Sequence, residues 1–154
     1  MKVLITGVAG FIGFHLANKL FSKNLDVLGI DNINSYYDLN LKKSRLKNLK
    51  DKISFYKIDI VNLNSLKKFF QNHKPNLIIH LAAQAGVRYS INNPEQYIRN
   101  NIMGFFNILQ CCKEFNCKKI IYASSSSVYG KKMQHKSKET DNVNKPLNLY
   151  ASSK

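Results

Sequence analysis

Tyr150 and Lys154 are the residues of this sequence whose types and spacing suggest chemistry most directly. They are four positions apart, so on a helix their side chains would share one face. A tyrosine with the ordinary pKa of about 10 is a poor base at neutral pH, but a neighbouring ammonium favours the phenolate. A phenolate held in this way can take the proton of a hydroxyl group. Because tyrosine and lysine at this spacing also occur by chance in many helices, the surrounding elements decide what the pair means.

A run of four serines at residues 124–127 follows an apolar segment, residues 119–123, that is typical of a buried strand. In a doubly wound parallel sheet, ligands bind at the carboxyl ends of the strands. We therefore expect Ser125 to hydrogen-bond the same oxygen that Tyr150 deprotonates. Which of the four serines takes this role is open, and a flexible serine loop is the alternative.

The segment KVLITGVAGFIG, residues 2–13, places a buried-strand pattern before three glycines and a helical pattern after them. Free N–H groups at the positive end of a helix dipole can hold a pyrophosphate. Gly7 permits the tight turn, Gly10 lets phosphates approach the backbone, and Gly13 lets the helix pack against the strand. Glycine spacing alone is weak evidence, but with these flanks it predicts a dinucleotide site.

Asp31 ends the second predicted strand, residues 25–30. It stands roughly 20 residues after the glycines, where a carboxylate accepts the hydroxyls of an adenosine ribose. A 2′-phosphate would meet Asp31 as a like charge and no arginine follows at once, so we expect NAD rather than NADP. An aspartate that caps a helix or turn is the alternative. With NAD bound, Tyr150 could take a hydroxyl proton while hydride moves to the nicotinamide.

Four further polar residues stand where they could contact a ligand. Asp59, at the end of the third predicted strand, could accept from the adenine amino group. Asn100 and Asn101 interrupt a predicted helix, where adjacent amides are unfavourable, so we expect at least one to reach inward to the cofactor. Arg88 follows small residues at a strand end, and its guanidinium suits a carboxylate or phosphate. A surface ion pair explains Arg88 equally well.

Alternating apolar runs and helical patterns supply the elements that would position these residues. Strands are predicted at residues 3–5, 25–30, 53–58, 77–80 and 119–123, helices at residues 11–21, 41–49, 63–71 and 94–112, and a long polar loop at residues 131–148. This alternation predicts an α/β fold of the Rossmann type, a doubly wound, mostly parallel sheet with helices on both faces. The expected strand order is three-two-one-four-five, with the cofactor across the switch point.

The composition indicates one globular domain, residues 1–154, with 44% hydrophobic and 21% charged residues. No apolar run approaches the roughly 20 residues that span a bilayer, and no signal peptide precedes the first strand, so we expect a cytoplasmic protein without membrane contact. The net charge of +15 is spread over several segments, which argues against a nucleic-acid partner but favours an anionic substrate. Cys111, Cys112 and Cys117 lack metal-ligand spacing, so we expect no metal and buried, reduced thiols.

The segments TGVAGFIG, LAAQAG, YASSSSVYG and YASSK, in this order and at these spacings, resemble the extended short-chain dehydrogenase/reductase superfamily of NAD-dependent epimerases and dehydratases. The segments DNINSYYDLNLK, LAAQAGVRYS and YASSSSVYG are more specifically similar to its UDP-glucuronate 4-epimerase branch. The resemblance covers essentially all 154 residues.

The resemblance implies roles for individual residues. Ser125, Tyr150 and Lys154 would be catalytic, and Arg88, Ser125 and Ser126 would contact a UDP-sugar. The implied NAD-binding residues are Gly7, Gly10, Phe11, Ile12, Gly13, Asp31, Asn32, Asp59, Ile60, Leu81, Ala82, Ala83, Gln84, Asn100, Tyr150 and Lys154. In such epimerases the 4-hydroxyl is oxidised to a 4-keto sugar, the ketone turns over in the site, and the same hydride returns to its other face.

Members of this superfamily are considerably longer than this chain, and their second half carries most of the nucleotide-sugar site. We therefore expect that the C-terminal substrate domain is absent, that the chain alone is inactive, and that the full-length form is a homodimer. UDP-glucose 4-epimerase and nucleotide-sugar 4,6-dehydratase are the nearest alternatives, although dehydratases usually carry an acidic pair where Ser126 and Ser127 stand. A non-catalytic NAD-binding module is an alternative of another class.

Overall fold

The computed structural model describes residues 1–131 and 136–154. Its strands are β1 (Lys2–Thr6), β2 (Asp26–Asp31), β3 (Ser54–Lys57), β4 (Leu77–His80) and β5 (Ile120–Tyr122). They form one parallel sheet in the order β3-β2-β1-β4-β5. The predicted strand order is thereby confirmed. The switch point lies between β1 and β4, where the chain leaves neighbouring strands in opposite directions.

The α-helices of the described residues alternate with these strands. They are α1 (Phe11–Phe21), α2 (Leu39–Leu49), α3 (Leu63–His73), α4 (Val87–Asn92), α5 (Pro94–Tyr97), α6 (Gly104–Glu114) and α7 (Leu149–Ser152). The helix predicted at residues 11–21 is confirmed at both ends. Side chains cap three of the described α-helices: Asp38 accepts from the Asn40 N–H at the start of α2, Asn62 from the Ser65 N–H at the start of α3, and Asn148 from the Ala151 N–H at the start of α7.

The inner strands β1 and β2 are buried on both faces, to which successive strand residues point in turn, whereas Ile121 and Tyr122 of the edge strand β5 are 58% and 53% exposed. Leu4 belongs to a core cluster that includes Ile108 of α6 and residues of α3. Its neighbour Ile5 belongs to a second cluster with Ala17 of α1 and Leu49 of α2. Helices therefore cover both faces, as predicted, and the strands are near-continuous apolar runs for this reason.

The helix predicted at residues 94–112 is divided by a π-helical turn, Ile98–Met103, between α5 and α6. Such wide turns often occur at functional sites, and this one contains Asn100 and Asn101. Gly104 follows this turn and packs closely on Ile60, since a Cβ at that position would lie 2.6 Å from Cδ1 of Ile60. The polar interruption in the sequence thus marks a change of helix type within a continuous helical stretch.

The three cysteines are free and buried, as predicted. Burial is the main reason that the pKa of Cys111 rises to about 11 and that of Cys112 to about 12. Both thiols therefore stay protonated near neutral pH, and neither is a reactive thiolate.

The long loop predicted at residues 131–148 is tested only in part, since residues 132–135 lie outside the described residues. Residue 131 and residues 136–148 contain no helix or strand. None of the described helices combines the length and the apolar character needed to cross a membrane.

Candidate active site

A cleft of about 730 Å³ lies at the switch point, beyond the carboxyl ends of β1 and β4. Most of the residues predicted to bind NAD line it: Gly7, Gly10, Phe11, Ile12, Gly13, Asp31, Asn32, Ile60, Leu81, Ala82, Ala83, Gln84 and Asn100. Asp59, Tyr150 and Lys154 are not part of this lining. The fold therefore brings together residues at or after the ends of the first four strands and one residue, Asn100, of the π-helical turn.

The turn between β1 and α1 is packed so tightly that two of its glycines have no room for a side chain. A Cβ on Gly13 would lie 2.8 Å from Cα of Val8 and closer still to the Gly7 carbonyl oxygen. A Cβ on Gly7, whose φ is +73°, would lie 2.9 Å from the backbone nitrogen of Ala82. The glycine turn thus packs directly against the loop that follows β4.

The first turn of α1 keeps its backbone donors free at the edge of the cleft. Gly10 precedes the helix and has no side chain to cap it. The first hydrogen bond of α1 runs from the Phe14 N–H to the Gly10 carbonyl oxygen, at 3.0 Å. The N–H groups of Phe11, Ile12 and Gly13 therefore have no acceptor within the helix. Free donors at the positive end of a helix dipole suit a pyrophosphate.

Asp31 is buried at the end of β2, and backbone groups fix its carboxylate. Oδ2 accepts from the Ala9 N–H at 3.1 Å, and Oδ1 accepts from the Ile33 N–H at 2.8 Å. A carboxylate has about four acceptor sites, so ribose hydroxyls can still bind to both oxygens. Because one of its partners is Ala9, the Asp31 carboxylate is tied directly to the glycine turn.

Two cations of α2, Lys42 and Arg45, also line the cleft, and the sequence analysis did not place them there. Lys42 Nζ lies 3.9 Å from Oδ1 of Asp31. Arg45 Nη1 donates to the Ala9 carbonyl oxygen at 3.3 Å. Their spacing of three on one predicted helix indicates that the two side chains share a face of that helix. The spacing does not show whether that face meets the cleft.

Asp59 is engaged by neighbouring groups. Its Oδ1 accepts from the Val61 N–H at 3.0 Å, and its Oδ2 accepts from the side-chain amide of Asn32 at 3.3 Å. Asp59 thus holds Asn32, which does line the cleft. A contact between Asp59 and adenine stays a prediction.

Asn101, which the sequence analysis did not single out over Asn100, connects two parts of the site. Its Oδ1 accepts from the Gln84 N–H at 2.7 Å, and its Nδ2 donates to the Gln84 carbonyl oxygen at 3.1 Å. Nδ2 also donates to Oγ of Ser153 at 2.9 Å. Asn100 instead donates to the Gln96 carbonyl oxygen at 2.8 Å and lines the cleft. Asn101 therefore ties the loop after β4 to the residues that follow α7.

Tyr150 lies on α7, but Lys154 lies two residues beyond the helix end at Ser152. The Ser153 N–H bonds to the Tyr150 carbonyl oxygen at 3.1 Å, and the Lys154 N–H bonds to the Ala151 carbonyl oxygen at 3.2 Å. The Ser153 N–H also bonds to the Leu149 carbonyl oxygen at 2.9 Å, so only the bond of Lys154 is of the tighter three-residue type alone. Tyr150 therefore lies on the helix, whereas Lys154 lies in the turn that ends it, and a joint role of the two side chains stays a prediction.

The serine run, which follows β5, contacts Lys154. Ser124 Oγ donates to the Lys154 carbonyl oxygen at 3.3 Å, although the two residues are 30 positions apart. Ser125 Oγ accepts from the Ser127 N–H at 3.2 Å and caps a short 3₁₀-helix, Ser126–Tyr129. The structure thus brings the serine run and Lys154 together. A hydrogen bond from Ser125 to a substrate hydroxyl stays a prediction.

A buried pair, Thr6 and His80, joins β1 to β4 next to Lys154. Thr6 Oγ1 accepts from the N–H groups of Leu81 and Ala82, at 3.1 and 3.0 Å, so it donates its own hydrogen to His80 Nδ1 at 2.8 Å. Burial, followed by the charge of Lys154, lowers the pKa of His80 to about 4. Burial also lowers the pKa of Lys154. His80 is therefore neutral near pH 7, and Lys154 is its neighbouring cation.

Five tyrosines form a series of ring contacts at the cleft: Tyr36, Tyr37, Tyr89, Tyr97 and Tyr150. Tyr36, from the loop after β2, packs on Tyr89 with ring centres 4.9 Å apart, and Tyr97 packs edge-on against Tyr150 at 6.0 Å. Tyr97 donates to the Ala85 carbonyl oxygen at 2.7 Å, and burial is the main reason that its pKa rises to about 12. The ring beside Tyr150 is therefore an uncharged hydrogen-bond donor that fixes the loop after β4.

Arg88 is exposed on α4 and is not among the residues that line the cleft. Ser126 lies at the start of the short 3₁₀-helix. The roles of both residues in substrate binding stay predictions.

Comparisons with known proteins agree with this architecture. The family model described as GDP-mannose 4,6 dehydratase matches residues 4–154. Protein CapI of Staphylococcus aureus is 51% identical over all of this chain and 46% of its own length. The crystal structure of UDP-glucuronic acid 4-epimerase from Bacillus cereus, in complex with UDP-glucuronic acid and NAD, is similar at a TM-score of 0.88 and 36% identity, over 99% of this chain and 48% of that one.

The UDP-glucose 4-epimerase of Thermus thermophilus, in complex with NAD, is equally similar in structure, with a TM-score of 0.88 at 29% identity, over 99% of this chain and 47% of that one. The chain thus spans about half the length of the proteins it matches. Because the family model matches nearly every residue of a chain that has the predicted parallel sheet and glycine turn, the chain belongs to the NAD-dependent epimerase/dehydratase family of the extended short-chain dehydrogenases/reductases.

Proposed function

We propose that this chain is the NAD-binding part of a nucleotide-sugar 4-epimerase that interconverts UDP-glucuronate and UDP-galacturonate. The observation that carries the proposal is the cleft at the switch point, in which a turn that accepts only glycine faces a buried carboxylate. The free N–H groups of α1 would bind the pyrophosphate, and Asp31 would bind the adenosine ribose. When bound, NAD would supply a reversible acceptor for hydride.

The catalytic proposal concerns Tyr150, Lys154 and Ser125. Tyr150 would remove the proton of the sugar 4-hydroxyl as its carbon loses hydride, and would return that proton after the 4-keto sugar has turned over. The Lys154 ammonium would favour the phenolate, and Ser125 would hold the reacting oxygen. The hydrogen bonds of Asn101 and Ser124 support this arrangement, since they connect the serine run, the cleft loop and the end of α7.

The choice of UDP-glucuronate is supported by the relative from Bacillus cereus, whose structure contains that substrate. We assign Arg88 to an anionic group of the sugar nucleotide, because its planar fork matches a carboxylate or a phosphate. A UDP-glucose 4-epimerase is the second candidate, favoured by the equal TM-score of the Thermus thermophilus enzyme. Arg88→Lys would lower the rate mainly with UDP-glucuronate if Arg88 reads the carboxylate, and equally with both sugars if it reads the diphosphate.

A first test measures NAD binding to the 154-residue chain by calorimetry. We expect weak binding, and we expect Asp31→Ala to weaken it by about 1–3 kcal/mol, the range for a buried polar partner left unpaired. Absence of NAD binding at millimolar concentration would refute the cofactor assignment. Incubated with NAD and UDP-glucuronate, the chain should form no UDP-galacturonate, because most sugar contacts that could hold the reacting carbon are missing.

A second test separates an enzyme from a non-catalytic NAD-binding module. In a chimera, residues 1–154 replace the matching part of the Bacillus cereus enzyme, which shares the fold over 99% of this chain. We expect the chimera to convert UDP-glucuronate. A second chimera controls for misfolding at the junction. In it, only the segment Asn148–Lys154 is exchanged with the matching segment of the Bacillus cereus enzyme. A folded chimera that binds NAD but forms no product would identify a non-catalytic module.

A further inference from the structure

Lys42 is a buried cation at the ribose end of the cleft. Its side chain is only 8% exposed, although it lies on α2 between the exposed residues Leu41 and Lys43. Nζ donates to the Asn34 side-chain oxygen at 2.9 Å and to the Asn34 carbonyl oxygen at 3.1 Å. Burying a lysine is costly unless its charge is paired, so the position of Lys42 needs a reason.

The pairing with Asp31 is incomplete. The two charged atoms are 3.9 Å apart, which is beyond hydrogen-bond distance. A lysine ammonium has three donors, and Asn34 takes two of them. Among the described residues, the third has no acceptor within hydrogen-bond distance. A cation with a free donor thus stands beside the carboxylate that we assign to the ribose hydroxyls.

Arg45 adds a second cation on the same side of the cleft. It lies one turn further along α2, with its guanidinium 5.8 Å from the centre of the Phe11 ring and one N–H donated to the Ala9 carbonyl oxygen. Asp38, the other carboxylate that lines the cleft here, is used to cap α2 through the Asn40 N–H at 2.7 Å. Asp31 is therefore the carboxylate that pairs with Lys42, whereas the other carboxylates nearby, Asp38 and Asp59, accept hydrogen bonds from Asn40 and Asn32.

We propose that Lys42 is a specificity-determining residue of the cofactor site. Its ammonium group can bind a 2′-phosphate, but the charge of Asp31 prevents this binding. The inference rests on the proposed NAD site. Selectivity for NAD over NADP would then come from the Asp31–Lys42 pair, in which the carboxylate repels the 2′-phosphate and the ammonium attracts it. Removal of the carboxylate's charge would leave Lys42, assisted by Arg45, as a site for NADP.

The test compares Kd values for NAD and NADP, which differ only in the 2′-phosphate, in four forms of the 154-residue chain. These are the wild type, Asp31→Asn, Asp31→Asn with Lys42→Met, and Asp31→Asn with Lys43→Met. Methionine keeps the length of the lysine side chain, and Lys43 is the exposed neighbour on the same helix. The two double variants therefore have the same net charge and differ only in which lysine is lost.

We expect Asp31→Asn to shift the Kd ratio toward NADP by at least about tenfold, the lower end for a hydrogen bond to a charged group. Lys42→Met should abolish this shift, and Lys43→Met should retain it. A merely structural role of Lys42 would weaken both cofactors equally and leave the ratio unchanged. Thermal unfolding of each variant shows whether it is folded, and Lys42→Gln in the same background is the second variant if the methionine form is not.

If the wild type binds NAD, two results would overturn the inference while the proposed function stands. The shift in the Kd ratio could survive Lys42→Met, or it could be lost equally with Lys43→Met. Absence of a shift in Asp31→Asn itself would also overturn it. If the wild type binds neither cofactor, the proposed NAD site fails and the inference fails with it.

Discussion

Asn101 contacts two separate parts of the site, so we expect its substitution to destabilise the site widely. In Asn101→Ala, the N–H and the carbonyl oxygen of Gln84 lose their partners at 2.7 and 3.1 Å, and Ser153 Oγ loses a donor at 2.9 Å. Asn101 and Gln84 are 5% and 6% exposed, so water cannot readily replace the amide. Each buried group left unpaired costs about 1–3 kcal/mol. Two such groups predict a loss of about 2–6 kcal/mol in the free energy of unfolding.

Urea denaturation followed by circular dichroism measures this loss, which is a large part of the ~5–15 kcal/mol that stabilises a typical domain. Asn100→Ala is the matched control, because within the described part of the chain the Asn100 side chain bonds only to Gln96, one helical turn earlier. We expect the control to cost less than about 1 kcal/mol, as for an ordinary hydrogen bond at a half-exposed position. A value for Asn101→Ala within about 0.5 kcal/mol of the control would refute the reasoning, since that is the usual range of an ordinary surface substitution.

Three other substitutions test separate parts of the site. Gly13→Ala should lower the thermal unfolding temperature, because the new Cβ would lie 2.8 Å from Cα of Val8. Helix propensity alone predicts the opposite, so a stabilised variant would contradict this packing. For His80, the folded pKa of about 4 lies below the ordinary 6.5, so between these values the unfolded chain binds a proton that the folded chain does not. The stability from His80 is thus present above pH 6.5 and falls as the pH drops toward 4, by up to about 3 kcal/mol, and His80→Gln should reduce the difference in unfolding free energy between pH 6.5 and 4.5. In the chimera, Tyr150→Phe should lower kcat by about 10²–10⁴, the usual contribution of a general acid–base group, and a change of less than about threefold would assign proton transfer to another residue.

Local patterns carried the prediction of the fold. The apolar run of β1, the glycines after it and the helical spacing of α1 are each encoded within a few neighbouring residues, and the first helix was placed at both its ends. The parallel strand order followed from the alternation of strands and helices, because right-handed crossovers leave few topologies open. The division of the helix at residues 94–112 was harder to foresee, because adjacent amides weaken a helical pattern without specifying a π-helical turn.

The sequence by itself determined which residues enter the cleft through their own local motif. Gly7, Gly13 and Asp31 are such residues, since a turn or a strand end has the same geometry wherever it occurs. It did not determine the contacts between motifs. The position of Lys42 beside Asp31, the bond of Asn101 to Ser153 and the bond of Thr6 to His80 depend on how α2, the π-helical turn and β4 pack against the sheet. Those distances are set by side-chain packing between segments up to 74 residues apart, and no periodicity along the chain records them. Only the tertiary structure therefore decided which cation lies beside Asp31 and how the loop after β4 is connected to the residues that follow α7.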